Sequence, residues 1–171
     1  VHSRRKKAKG AAALLGLVIL FATTDLAAQT NIPDKSHAAE FGKLFVQNNA
    51  GRIEPVNTLA TKLLVKVSKK SKFNGYTADQ VILGIATNPA EWQSIPIIKV
   101  PESAIQNMLG IKGDLASFND FIDATEQYKI GAQVEQAYIK KPATRSTLDK
   151  GLINVDERLN VFYTLLSGSA F

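Results

Sequence analysis

The sequence predicts an all-α fold: a helical domain over residues 31–171, behind an N-terminal segment over residues 1–30, with at most one short extended segment. Three patterns carry that expectation. Leu148, Leu152, Val155, Leu159, Phe162 and Leu166 recur at alternating steps of four and three, the spacing of a core-facing helical stripe. Val56, Leu59, Leu63 and Val67 repeat the pattern just after Pro55, a residue suited to a first helical turn. Thr77 and Gln80 stand at capping-box spacing ahead of an apolar run.

The N-terminal segment reads differently from the rest. Arg4, Arg5, Lys6, Lys7 and Lys9 precede "AAALLGLVILFA", an unbroken apolar run of 12 residues, and then "TTDLAAQT". That is the layout of an export signal or a membrane-crossing signal anchor. The run is shorter than the roughly 20 residues of a spanning helix, and extending it would enclose Asp25. Leu26 occupies a place where a cleavage site prefers a small side chain. The basic residues hold residues 1–9 in the cytoplasm and send the chain beyond the apolar run across the membrane. The net charge of +6 belongs largely to this segment, which holds five of the 21 Lys and Arg and one of the 15 Asp and Glu. The body keeps 16 basic against 14 acidic groups, too balanced for a nucleic-acid footprint. The absence of cysteine excludes a disulfide scaffold, a thiol redox pair, a thiolate zinc site and a haem-attachment motif.

Along the body, Ala38, Phe41, Leu44 and Phe45 predict a helix capped by Asp34 or Ser36, and "NNAGR" predicts a turn. In "GRIEPVNTLATKLLVKVSKK", residues 51 to 70, Glu54 suits the positive end of the helix dipole and Lys66, Lys69 and Lys70 the negative end. Gly51, Arg52, Asn57 and Thr58 are left over, polar residues that the apolar stripe does not need. Asn74-Gly75 marks a turn, and Pro89 opens a short helix holding Glu91 and Trp92. "SIPIIKVP" reads as a lone extended segment, and "ESAIQNMLGIKG" as a short helix closed by Gly110. Residues 117–141 are helical in pattern and end at Pro142.

No catalytic constellation emerges. His37 is the one histidine of the body; it is chemically able to be an axial haem ligand, although a lone histidine near a helix start is more often plain surface. Asp120 with Asp123, and Asp156 with Glu157, have the spacing of solvated helix faces. Trp92, Tyr76 and Phe73 suggest core packing rather than a binding platform. No metal site is expected.

Three blocks, "HAAEFGKLFVQNNAGRIEPVNTLATKLL", "TADQVILGIATNPAEWQSIPII" and "VDERLNVFYTLLSG", resemble the fused ResB/ResC-type (CcsB/CcsA-type) proteins of System II cytochrome c biogenesis. The resemblance implies an extracytoplasmic module of a bacterial inner-membrane haem exporter and apocytochrome-attaching synthetase. Residues after about 30 would lie on the periplasmic side. The implied partners are the membrane at the N-terminal segment, the rest of the synthetase, and apocytochrome c. The family's tryptophan-rich haem motif has no counterpart in this chain. Haem is therefore implied for the full-length assembly rather than for this segment, whose role would be supporting or docking. His37 as a haem ligand and Arg52 as a contact to a propionate or a partner carboxylate are the candidate site residues, Arg52 for its bidentate geometry. An exported ligand-binding or structural interaction domain unrelated to haem is the alternative.

Overall fold

The computed structural model describes residues 31–47 and 51–170, so the expectations for residues 1–30 lie outside the described residues. The elements run α1 (Lys35–Gly42), β1 (Phe45–Gln47), β2 (Ile53–Pro55), α2 (Val56–Ser68), β3 (Lys72–Phe73), β4 (Tyr76–Thr77), α3 (Ala78–Thr87) and α4 (Pro89–Trp92). They continue with β5 (Ile98–Lys99), α5 (Ser103–Leu109), β6 (Leu115–Ala116), α6 (Gly131–Ile139) and α7 (Thr147–Leu166). Among the described residues no helix is long and apolar enough to cross a membrane.

Helix α7 is the organising element. Ser146 and Asp149 form a full capping box at its start, each side chain taking the other's backbone N–H. Leu152, Val155, Leu159 and Phe162 are buried along its length, as the stripe predicts, while Leu148 stands exposed at its first turn. It packs on α2, α3, α4, α5, α6 and β5, which includes the expected contact with the helix after Pro55. Helix α2 buries Val56, Ala60, Leu64 and Val67, with Leu59 and Leu63 only half-buried. It lies against α1, α3 and α7 together, so its buried face is rotated and broader than the expected stripe.

The all-α expectation is corrected by three two-stranded antiparallel ladders: β1 with β2, β3 with β4, and β5 with β6. Each strand has only two or three residues, too few for alternation to register as a pattern. The β3–β4 hairpin closes through Asn74 at φ +48° and Gly75 at φ +84°, the paired positive angles that Asn-Gly supplies. The segment expected to be a lone strand is not alone: Ile98 pairs with Ala116 and Lys99 with Leu115. Ile97 and Ile98 lie in the core, where unpaired backbone groups would be costly.

Two helices are shorter than their patterns. Helix α1 stops at Gly42, and Phe45 joins β1 instead of extending the helix. The expected helix over residues 117–141 begins only at Gly131. Before it, the Asp120 carboxylate accepts from the N–H and hydroxyl of Ser117, and Asp123 accepts from Thr125 and from the Gln127 N–H. Such side chain–backbone bonds compete with the helical ladder. Glu126, at φ +60°, completes the break.

Candidate functional site

The leftover residues of the 51–70 stretch gather around the β1–β2 hairpin and the start of α2. Gly51 takes φ +78°, and its carbonyl accepts from Gln47 Nε2 at 3.1 Å. The register sets Phe45 opposite Pro55, Val46 opposite Glu54, and Gln47 opposite Ile53. With a period of two, Val46 and Glu54 share the inner face, and both are half-buried. Phe45, Gln47, Ile53 and Pro55 share the outer face, where Phe45 and Ile53 are each 74% exposed. The Val56 N–H donates to the Leu44 carbonyl at 2.8 Å and fastens the hairpin to the helix start.

Glu54 immediately precedes the N-cap Pro55 of α2. It lies in β2, and its carboxylate accepts from Lys62 of α2. Pro55 is the N-cap residue rather than a member of the helix, and gives no side-chain cap. Lys66, in the last turn of α2, pairs with Glu157 of α7 at 2.6 Å.

Asn57 has a definite task. Its Nδ2 donates at 2.8 Å to Oδ2 of Asp79, a residue in the first turn of α3 that is 7% exposed. Asp79 Oδ1 is buried without a partner. A Cβ on Gly42 would stand 2.8 Å from the same Oδ2, so α1 ends on the one residue that lets its backbone come this close. One buried carboxylate thereby fixes the junction of α1, α2 and α3.

The two expected site residues sit on different elements. Arg52 lies in the hairpin connection, exposed, one residue before β2. His37 is exposed on the first turn of α1, where its N–H donates to Asp34 at 3.3 Å. Asp34 caps that helix and is held below its ordinary value by the Ser36 hydroxyl first, then by the Ser36 and His37 N–H groups. A cleft of about 760 Å³ beside this end of α1 is lined by Asn31, Pro33, Asp34, Lys35, Gln80 and Glu91, among others. A haem pocket needs an apolar enclosure around its axial ligand. An open imidazole beside a polar cleft does not provide one, so the described residues around His37 do not fit a haem group.

The other chemistry-bearing side chains are committed to packing. Asp156 accepts from Tyr128 and Tyr138 at 3.2 Å each and from Asn160 at 3.1 Å. Burial, and then the Asp156 charge, push both tyrosine hydroxyls up. Trp92 is buried and packs at 6.3 Å, tilted, on Phe73, as the core reading of these aromatics expects; Tyr76 stands outside. Among the described residues no group of three or more His, Asp or Glu is placed to hold a metal ion.

Several working residues were not recognised in the sequence. Buried Arg158 donates to the Lys99 carbonyl and feels the Glu102 charge, and Arg145 caps the carbonyls of Ala137, Tyr138 and Lys140 at the end of α6. The Ser146–Asp149 box was legible as S-T-L-D. Arg158, an arginine inside an apolar stripe, was a signal too. Arg145 left no local trace.

No family model matches the chain. It is similar to Protein NrfI of Wolinella succinogenes, 44% identical over 132 residues, a match covering 77% of this chain. The chain spans only 15% of that relative's length. This corrects the resemblance drawn from the three sequence blocks: the similarity found is to Protein NrfI, and nothing in it indicates a fused ResB/ResC-type protein.

Proposed function

We propose that this chain is an extracytoplasmic segment of a larger cytochrome c maturation protein, and that it supports or docks rather than catalyses. The similarity to Protein NrfI is the observation that carries this reading, since it supports a role in cytochrome c maturation. The non-catalytic part rests on the side chains themselves. Each carboxylate pair considered above is engaged in capping, turns or cross-helix bonds, and His37 stands open on a helix surface. The N-terminal basic and apolar stretch supports a bacterial inner-membrane setting, with residues after about 30 on the periplasmic side. Haem would be handled by other parts of the full-length protein, and the partners of this segment would be those parts and apocytochrome c.

Arg52 is the residue assigned to partner contact, through a guanidinium that meets a carboxylate bidentately. The test is made in cells carrying the full-length protein. Deleting residues 31–171 should abolish haem-stained mature cytochromes c, and Arg52→Ala should lower them while leaving the thermal melt in place. Full haem staining in the deletion strain would refute the maturation role. Normal staining with Arg52→Ala would leave that role standing and return Arg52 to a turn residue.

A further inference from the structure

We infer that the outer face of the β1–β2 hairpin rests on the lipid bilayer, through Phe45 and Ile53. This contact rests on the proposed membrane setting and adds something that setting does not require.

Three features lead to it. The first is the kind of surface. Phe45 and Ile53 are each 74% exposed and Leu44 is 58% exposed, while the register brings Phe45, Ile53 and Pro55 to one side of the ladder. Large apolar side chains standing together are uncommon on a surface that meets only water, and a two-stranded ribbon projects them outward rather than lining a pocket. The inner face is already provided for, because Glu54 accepts from Lys62 and Val46 is half-buried. The outward side chains Phe45 and Ile53 stay largely exposed.

The second feature is reach. The apolar run ends at Ala22 and α1 begins at Lys35, leaving residues 23–34 between them. Twelve residues span at most about 40 Å when extended, and the eight residues of α1 add about 12 Å. A hairpin that follows α1 directly is therefore tethered close enough to reach any bilayer that the apolar run enters.

The third is charge. Lys43 and Arg52, both exposed, flank the apolar side chains at the two ends of the ladder. Lys43 pairs with Glu40 in a largely exposed bridge of the sort that contributes little. Aromatic and aliphatic side chains bordered by cations are the composition that binds an interface of anionic headgroups.

The chain has no cysteine, so single labels are unambiguous. Phe45→Cys, Ile53→Cys, Leu17→Cys and Tyr163→Cys in the full chain are each labelled with an environment-sensitive fluorophore. The labelled chains are then reconstituted into phosphatidylcholine–phosphatidylglycerol vesicles with or without doxyl-quencher lipid. Labels at 45 and 53 should shift to the blue and lose about half or more of their emission to the quencher, whereas a label at 163, exposed on α7, should do neither. Circular dichroism of each variant checks the fold, and positions 45 and 53 test the same face independently. If 17 is quenched while 45 and 53 behave like 163, the hairpin inference is overturned and the membrane setting stands. If 45 and 53 are quenched and 17 is not, the inference stands and the membrane-crossing reading of the N-terminal run fails. A blue shift at 45 and 53 without lipid quenching means that protein covers the face, which also overturns the inference.

Discussion

Asn57→Ala should destabilise the domain by about 2–3 kcal/mol, although Asn57 itself is exposed and loses almost no packing. The cost falls on its partner. Asp79 is 7% exposed, with Oδ2 on Asn57 Nδ2 at 2.8 Å and Oδ1 without a partner. A hydrogen bond to a charged group contributes about 1.5–3 kcal/mol, and deleting the donor leaves Oδ2 without Asn57 beside an Oδ1 already buried and unsatisfied. Asp79→Ala removes the desolvated carboxylate along with the bond, so it should cost less. The double variant should then cost no more than Asp79→Ala alone, a coupling of about 2–3 kcal/mol, the whole cost of Asn57→Ala. Gly42→Ala supplies a second arm, because its Cβ would stand 2.8 Å from Asp79 Oδ2. It should destabilise the wild-type background and be tolerated in the Asp79→Ala background. The assay is equilibrium urea unfolding of the detergent-solubilised chain, followed by the emission of Trp92, the chain's one tryptophan. An Asn57→Ala change within about 0.5 kcal/mol, or plain additivity with Asp79→Ala, would refute the junction argument.

Leu159→Ala should cost about 2–5 kcal/mol, whereas Leu148→Ala on the same stripe should cost under about 1, because only Leu159 is buried; the same urea titration checks both. Ser146→Ala should cost about 1 kcal/mol by opening the capping box, seen as faster amide exchange in the first turn of α7. The Asp149 carboxyl is held down to about 2 by Lys140 first, and then by the Ser146 hydroxyl and N–H. A depressed folded-state value gives a contribution that is complete above the ordinary 3.8 and is lost as pH falls toward about 2. Exchange protection in that turn should therefore drop over this acid window, and Asp149→Asn should flatten the drop.

Helices were legible where the apolar period ran long enough to outweigh local chemistry. Leu152 to Phe162 kept step over several turns, and the Thr77–Gln80 box marked the start of α3. The pattern misled where polar side chains gave the backbone other partners, as Asp120 and Asp123 did ahead of α6. The ladders were invisible for a different reason. Ile98 finds Ala116 across an intervening helix, and two residues carry too little periodicity to announce such a pairing. At the candidate site, the sequence singled out Arg52 and Asn57 as surplus to the stripe, but not what Asn57 binds. Its partner Asp79 lies 22 residues away on another helix, so only the folded chain brings the two together.

The place of α7 has a consequence for synthesis at the ribosome. Helices α2 and α3, made early, bury side chains such as Leu64, Val67, Val81 and Ile85 in a core that also needs Val155, Leu159 and Phe162. A nascent chain ending before Thr147 therefore cannot close that core, however much of it has emerged. Until Thr147–Leu166 has emerged, the apolar faces of α2 and α3 lack the helix that covers them. Exposed apolar surface of that kind is what chaperones recognise, and the twenty-residue α7 is the keystone that removes it.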